Sequence, residues 1–142
     1  MKTTIYTIGP DETLQAAVKL LLEHQTSGLV VAENDRVVGI LSEKDIYKAF
    51  YPSYQEYYAA PEDFTDFQQQ EHEIIGRSQQ PVRSVMTKKV LTVGPNEFVM
   101  KVGSIMLARN IHRLPVIDAE GRLIGVVTRG CIYRALFRQE LS

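Results

Sequence analysis

IYTIGPDETLQAAVKLLLEHQTSGLVV (residues 5–31) has a second copy in VLTVGPNEFVMKVGSIMLARNIHRLPV (residues 90–116). At this offset a Thr-x-Gly-Pro motif stands at positions 7–10 and again at 92–95. One extra residue near Gly121 lengthens the offset by one, and the matches then continue to the end of both copies. Chance does not produce agreement over so many positions, so the chain is an internal duplication.

Each copy predicts the same five elements in the order β-α-β-β-α. A short strand ends at a Gly-Pro turn, and a polar residue that suits a helix N-cap follows it, either Asp11 or Asn96. A helix comes next, then two strands joined by a polar turn, then a short helix. In the first copy these are strand Thr4–Ile8, a helix with the apolar face Leu14, Ala17, Val18 and Leu21, strands Leu29–Ala32 and Val37–Leu41, and helix Glu43–Phe50. In the second copy they are strand Lys89–Val93, a helix with the apolar face Val99, Val102, Ile105 and Met106, strands Leu114–Ile117 and Leu123–Val127, and helix Arg129–Phe137.

A single unit of this size cannot cover its own sheet, so two units must pack together and share a core. We therefore expect an α+β fold of two β-α-β-β-α repeats packed by pseudo-two-fold symmetry, with a cleft between them. The expected boundaries are repeat 1 at residues 1–51, a helical linker at 52–81 and repeat 2 at 82–142, in one compact module. Within the linker, Pro61 suits the start of an amphipathic helix and Gly76 its end.

The composition is typical of a globular protein of the cytoplasm. The 142 residues are 44% hydrophobic and 23% charged, and no apolar run is long enough to span a bilayer. No apolar signal-peptide core follows Met1, and the single cysteine, Cys131, excludes an intrachain disulfide. Nothing before Met1 matches residues 81–85 of the second copy, which leaves open whether the chain is trimmed or a fragment.

The charge is distributed unevenly between the two halves. Residues 1–80 hold 6 Lys+Arg and 13 Asp+Glu, whereas residues 81–142 hold 10 and 4. This asymmetry favours either docking of one half on the other or an anionic ligand on the basic half. Nucleic acid is an unlikely partner because the basic half has few aromatic side chains for base stacking.

Four motifs carry a resemblance to a known family. They are Gly39–Asp45 in the first copy and Thr92–Pro95, Ile111–Val116 and Gly125–Thr128 in the second. Together they resemble a tandem pair of CBS domains, the regulatory modules named after cystathionine β-synthase. The resemblance implies a regulatory module without enzyme activity that binds an adenosine compound between its repeats and associates with a second copy.

The resemblance also implies two ligand sites, each with sugar-binding residues from one copy and a base-binding strand from the other. A Ser/Thr-x-x-Asp motif would hold the ribose, since a carboxylate accepts two hydrogen bonds and donates none. The motif is intact at Ser42–Asp45, but the second copy ends in Cys131 at the corresponding place. We therefore expect the site built around Asp45 to be the better one.

The expected roles in that site follow from the same resemblance. Asp45 would hold the ribose, Ser42 would support it or touch a phosphate, and His112 and Arg113 would face the phosphates. The remaining expected contacts are pocket-lining or base-flanking groups, namely Ile40, Met86, Val90, Leu91 and backbone groups near Ile111. A second site would draw on Tyr6, Thr26, Ser27, Thr128 and Arg129.

Simpler interpretations stay open for these residues. Asp45 could cap the helix that follows its strand, and His112 could be a surface histidine at a strand entry. The sequence has no Gly-x-Ser-x-Gly elbow, phosphate loop or His-Glu-x-x-His motif, and we expect no enzyme and no metal site.

Two hypotheses follow. The first is a sensor of AMP, ADP or ATP, with S-adenosylmethionine as a further candidate ligand and no required cofactor. The second is an assembly module that binds no ligand and forms a homodimer. Both would act on a regulated protein that the sequence does not name.

Overall fold

The computed structural model describes residues 5–50 and 75–141. In the first repeat the elements are β1 (Thr7–Ile8), α1 (Leu14–His24), β2 (Gly28–Glu33), β3 (Arg36–Ser42) and α2 (Glu43–Phe50). In the second they are a 3₁₀ turn (Val82–Ser84), α3 (Val99–Ala108), β4 (Arg113–Ile117), β5 (Leu123–Thr128) and α4 (Arg129–Leu141). The predicted linker helix from Pro61, apart from its last two residues, lies outside the described ranges.

The sheet of the first repeat has the order β1-β2-β3, with β1 parallel to β2 and β2 antiparallel to β3. Asn34 and Asp35 turn the β2–β3 hairpin with φ angles of 53° and 65°. A two-residue hairpin turn of this kind needs positive φ at both positions, which asparagine and aspartate tolerate better than most residues. The predicted polar turn is therefore confirmed.

The second repeat has the antiparallel pair β4-β5, and here one strand prediction is wrong. Residues 89–93 form no strand, and only Val93 makes a parallel bridge, to Val116. The cause lies in the partner strand. Val30 N–H donates to the Tyr6 carbonyl at 3.3 Å in the first repeat, whereas the equivalent residue in the second is Pro115, which has no N–H to donate.

The duplication is visible in the backbone itself. The register of the β2–β3 ladder shifts between Val31 and Ala32, and that of the β4–β5 ladder shifts between Val116 and Ile117. These two positions are equivalent in the two copies, so both hairpins carry the same irregularity at the same place. Such bulges bend and twist a strand pair, and here both hairpins bend alike.

The core of each repeat forms from equivalent positions, as the apolar pattern predicts. The buried pairs are Ile8 and Val93, Ala17 and Val102, Leu21 and Met106, Leu29 and Leu114, and Val31 and Val116. Burial of the α1 and α3 faces against their hairpins supplies the apolar driving force for each layer.

The predicted helix caps are wrong. Thr13, not Asp11, caps α1, and its Oγ1 accepts from the Ala16 N–H at 3.1 Å. The carboxylate of Asp11 instead lies 3.2 Å from the Arg83 guanidinium. Phe98, not Asn96, holds the N-cap position of α3 and makes no side-chain capping bond.

The two repeats meet at equivalent residues, as a pseudo-two-fold axis requires. Arg36 and Arg122 form an antiparallel bridge, and the Leu123 N–H donates to the Asp35 carbonyl at 2.9 Å. The first segment of the second repeat, before α3, also joins the first sheet, because Ile40 and Thr87 exchange two backbone hydrogen bonds of 3.0 and 2.9 Å. This crossing brings residues of both repeats around one cleft. Within the described ranges, no helix combines the length and apolar character that crossing a bilayer requires.

Candidate functional site

A cavity of about 620 Å³ lies between the repeats. Its volume falls within the range of small-molecule sites, about 300–1,000 Å³. Eight of the nine residues predicted for the better site line this cavity: Ile40, Ser42, Asp45, Val90, Leu91, Ile111, His112 and Arg113. Their assembly is a fact of the fold, whereas their binding role stays a prediction.

Met86 is the predicted residue that does not line the cavity. Its side chain packs on β3, where a Cβ added to Gly39 would lie 2.5 Å from the Met86 sulfur. Met86 is half-buried and contacts the core of the first repeat. The glycine thus leaves room for the methionine, and this packing holds the segment that carries Thr87 against β3.

Ser42 and Asp45 form a reciprocal pair at the start of α2. The Ser42 N–H donates to Oδ2 of Asp45 at 3.0 Å, and the Asp45 N–H donates to Oγ of Ser42 at 3.2 Å. This is a capping box, so the capping interpretation of Asp45 holds in the structure. The box occupies Oδ2, which also lies 3.5 Å from the Thr87 hydroxyl. Among the described residues, Oδ1 has no hydrogen-bond partner, and the half-buried Asp45 lines the cavity.

The second repeat contributes apolar side chains to the lining of this cavity. Val90 and Ile111 are half-buried, and Leu91 is 40% exposed although it is a large hydrophobic residue. Asn110 follows α3 with a φ of 52°, a left-handed conformation that also occurs at the equivalent Gln25 after α1. The turn at Asn110 directs the chain from α3 into the Ile111 segment, which leaves its backbone at the cavity.

Several cavity residues were missed by the sequence analysis. These are Glu43, Lys44, Lys48, Thr87, Lys89, Asn110 and Leu114, whereas Ser27 was expected in the second site. A sequence signal existed for two of them, since Lys44 and Lys48 lie four residues apart and share a helix face. Thr87 and Lys89 gave no such signal, because their position depends on the crossing of their segment to β3.

Arg113 occupies the boundary between two cavities. It lines the large cleft and also a smaller cavity on the other side, and its Nη2 donates to Oγ1 of Thr26 at 3.2 Å. Burial lowers the pKa of the Arg113 guanidinium, but from so high a value that the side chain stays charged at neutral pH. A charged, half-buried donor therefore stands beside the cleft.

The smaller cavity is the counterpart of the large one and has a volume of about 60 Å³. Three of the five residues predicted for the second site line it, namely Tyr6, Thr26 and Thr128. Ser27 lines the large cavity instead, and Arg129 donates to the Ile111 carbonyl at 3.3 Å and to Oδ1 of Asn110 at 3.2 Å. The ring of Tyr6 stacks on His24 with centroids 4.0 Å apart. A space of this size is too small for a nucleoside.

Cys131 reproduces the capping box with sulfur in place of a carboxylate. Its N–H donates to Oγ1 of Thr128 at 3.3 Å, and that hydroxyl lies 3.2 Å from the Cys131 sulfur. Burial would raise the pKa of this thiol, but hydrogen bonds from Thr128 and Arg134 outweigh burial and lower it. The second repeat thus keeps the turn but lacks the carboxylate that would bind a ribose.

No group of three or more His, Cys, Asp or Glu side chains in the described part of the chain is placed to hold a metal ion.

Comparison with known proteins agrees with this architecture. The family model of the CBS domain matches residues 1–52 and 82–138. An uncharacterised protein of Methanocaldococcus jannaschii is 32% identical over 138 residues, which cover 89% of this chain and 82% of that protein. The inosine-5′-monophosphate dehydrogenase of Korarchaeum cryptofilum is 30% identical over 124 residues, which cover 87% of this chain but only 21% of that enzyme.

A solved structure shows the same fold. The crystal structure of CBSX2, a CBS-pair protein of Arabidopsis thaliana, in complex with AMP has a TM-score of 0.73 and 26% identity to this chain. The alignment covers 96% of this chain and 90% of that one. The two family matches, the duplicated hairpins and the shared cleft lead to one conclusion: the chain belongs to the CBS domain family, as a tandem pair of CBS domains.

Proposed function

We propose that this CBS pair is a regulatory sensor that binds an adenosine-containing ligand, such as AMP, ADP or ATP, in the cleft between its repeats. One observation carries the proposal. A single cavity is lined by the capping box of Ser42 and Asp45 from the first repeat and by the apolar residues Val90, Leu91 and Ile111 from the second. A nucleoside needs this combination, a carboxylate for its hydroxyls and an apolar slot for its base.

The free oxygen of Asp45 suits the ribose. Oδ2 is held by the Ser42 N–H, which fixes the orientation of the carboxylate before any ligand arrives. Oδ1 then accepts from a ribose hydroxyl without breaking the capping box. In this proposal capping and ligand binding are two functions of one carboxylate, and the cap supplies the preorganisation.

The base would lie between Ile40 and the segment of Val90 and Leu91, and the backbone near Ile111 would read its edge. His112 and Arg113 line the same cavity and would face the phosphate. CBSX2, which is 26% identical to this chain, has a solved structure in complex with AMP, and this supports an adenosine ligand for the present chain. S-adenosylmethionine remains the further candidate.

Regulation requires that the ligand prefer one arrangement of the repeats over another. The cleft contains residues of both repeats, so a bound nucleoside would bridge them and stabilise their packed arrangement. A neighbouring protein or a second copy would sense this change. The proposed activity is binding, and no catalytic step is assigned.

A thermal-shift titration tests the proposal. A ligand specific for the folded state stabilises it by about 2.7 kcal/mol at a concentration about a hundred times its Kd. We expect the Tm to rise with an adenosine compound, and we expect Asp45→Ala to abolish the rise. The matched control is Cys131→Ala at the equivalent position, which should keep the rise. If no compound among adenosine, AMP, ADP, ATP and S-adenosylmethionine raises the Tm, the sensor proposal is wrong.

Assembly is the second candidate function, and one observation favours it. Two pairs of equivalent residues are exposed although apolar: Leu22 with Leu107, at 73% and 81%, and Tyr47 with Tyr133, at 65% and 62%. A pseudo-two-fold pattern of this kind offers the same patch twice, which suits an isologous contact with a second copy. We propose a homodimer through these helices. Leu107→Glu should reduce the mass in sedimentation to that of a monomer, and Ile75→Glu, equally apolar and 63% exposed, should not. A monomer in the unaltered protein would refute the dimer.

A further inference from the structure

The large cavity is bordered by more cations than carboxylates. Lys44 and Lys48 lie on α2, and Arg113 lies at the start of β4. Lys89 lies two residues after Thr87, in the segment that pairs with Ile40 of β3. His112 is exposed at the same edge. The carboxylates at this cavity are Glu43 and Asp45. The cavity therefore has a net positive charge even when the histidine is neutral.

The lysines of the cavity lack the ion pairs that four cations elsewhere in the described chain make. Lys19, Arg83, Lys101 and Arg122 each lie within 4.0 Å of a carboxylate oxygen. In residues 5–50 and 75–141, by contrast, no carboxylate lies within that distance of Lys44, Lys48 or Lys89. Glu43 and Asp45 are close in the chain but do not neutralise them.

The positions of these lysines relative to Asp45 matter as much as their number. Lys48 lies three residues after Asp45 on α2, so both side chains leave the same helix face. Lys44 lies one turn before Lys48 on that helix. Lys89 comes from the segment of the second repeat that crosses to β3, so both repeats contribute cations to the cavity. A bound ligand with a single phosphate group beside Arg113 would leave Lys44, Lys48 and Lys89 without a counterion.

We infer that the site takes an adenosine 5′-diphosphate or 5′-triphosphate in preference to a monophosphate or to S-adenosylmethionine. This inference rests on the proposed function and specifies its ligand. The terminal phosphates would be bound by Lys44, Lys48 and Lys89, while Asp45 holds the ribose. Ammonium groups bind phosphate as point charges without a demanding geometry, which suits a flexible phosphate chain. S-adenosylmethionine carries a sulfonium cation and would be repelled by the same groups.

Isothermal titration calorimetry of the whole chain with adenosine, AMP, ADP, ATP, S-adenosylmethionine and inorganic tripolyphosphate tests the inference. We expect ATP to bind at least about tenfold more tightly than AMP at low salt, a difference that decreases as salt is added. The double variant Lys44→Gln/Lys48→Gln should weaken ATP about tenfold and change the affinity for AMP by less than about threefold. Lys89→Gln should act in the same direction.

Lys88→Gln is the matched control, since Lys88 is an exposed neighbour of Lys89 that does not line the cavity. It should leave every affinity unchanged. ATP binding no tighter than AMP, or equal losses of AMP and ATP in the lysine variants, would overturn the inference while the adenosine site stands. Binding of tripolyphosphate without adenosine would keep the polyphosphate site and refute the nucleoside proposal. Absence of binding by every compound would overturn both.

Discussion

Arg113 and Thr26 join the two repeats, with Nη2 of the arginine donating to Oγ1 of the threonine at 3.2 Å. The residue equivalent to Arg113 in the first repeat is Gly28, and the two are in contact. A Cβ built on Gly28 would lie 2.5 Å from Nη1 of Arg113 and 3.3 Å from the Leu41 carbonyl oxygen. The two copies have thus diverged at this position: the second repeat has the large cation Arg113, and the first has Gly28, which has no side chain.

Gly28→Ala should destabilise the protein by about 1–2 kcal/mol, because the new methyl group meets the Arg113 guanidinium in a half-buried place. In an Arg113→Ala background the same change should cost less, since only the close approach to the Leu41 carbonyl oxygen at 3.3 Å remains. Urea unfolding of the four proteins measures this double-mutant cycle. Equal costs in both backgrounds would show that the contact between these residues does not set the requirement for glycine.

Much of the fold was predictable because the chain carries its pattern twice. Apolar residues at helical spacing and alternating strands agree in both copies, and burial of Leu21 and Met106 at equivalent positions confirms the register. The bounds of β2 to β5 differ from expectation by at most one residue, but the first strand, expected at Thr4–Ile8, begins only at Thr7. The lost strand at residues 89–93 depended on the missing N–H of Pro115, a detail that a repeat alignment does not weigh.

The site was less predictable than the fold. Arg113 was expected to face the phosphates of the better site, and the structure shows that it lines both the large cavity and the second cavity. Lys89 and Thr87 were missed because their segment reaches the cleft by crossing to Ile40, a contact between residues far apart in the chain. Local sequence patterns predict helices and strands, whereas a cleft between repeats depends on contacts between residues that are far apart in the chain.

Cys131→Asp should stabilise the protein by about 0.5–1 kcal/mol. The new carboxylate would complete the capping box with Thr128, as Asp45 does with Ser42, and would lie in the first turn of α4. Thermal unfolding measures the gain. Cys131→Ala should give no such gain and serves as the control.

The same variant should bind no second nucleoside, because the cavity beside Thr128 has a volume of only about 60 Å³ with Arg113 in place. Calorimetric stoichiometry of Cys131→Asp should therefore match that of the unaltered chain. A second equivalent of ligand would show that the missing carboxylate, and not the space, closes this site.

Because of Asp118 in the β4–β5 turn, the free energy of unfolding should decrease at acid pH. Its Oδ1 accepts from the backbone N–H groups of Arg122 and Glu120, each at 2.9 Å, and its Oδ2 lies 3.3 Å from Nε of Arg122. The hydrogen bond from the Arg122 N–H is the largest of the effects that lower the pKa of Asp118. A lowered folded-state pKa stabilises the fold above the unfolded value of about 3.9, and this contribution is lost as the pH falls through the folded value.

Asp118→Asn should therefore lower the Tm by a few degrees at neutral pH, since asparagine is uncharged but of the same shape. The two melting curves should converge only as the pH falls through the lowered folded-state pKa of Asp118, below its ordinary value, because the native carboxyl is then protonated and resembles the amide. Thermal unfolding at a series of pH values measures both effects. A difference in Tm that stays constant down to strong acid would contradict the role of the charge.

The central claim is that one carboxylate, Asp45, both caps α2 and binds a ligand. Asp45→Asn separates the two roles, because an amide oxygen still accepts from the Ser42 N–H but the second acceptor is lost. Calorimetry with ADP or ATP should give about one ligand per chain for the unaltered protein and at least about tenfold weaker binding for Asp45→Asn, with the Tm of the free protein nearly unchanged. Unchanged affinity in Asp45→Asn, or no binding to the unaltered chain, would contradict the account and leave Asp45 as a helix cap alone.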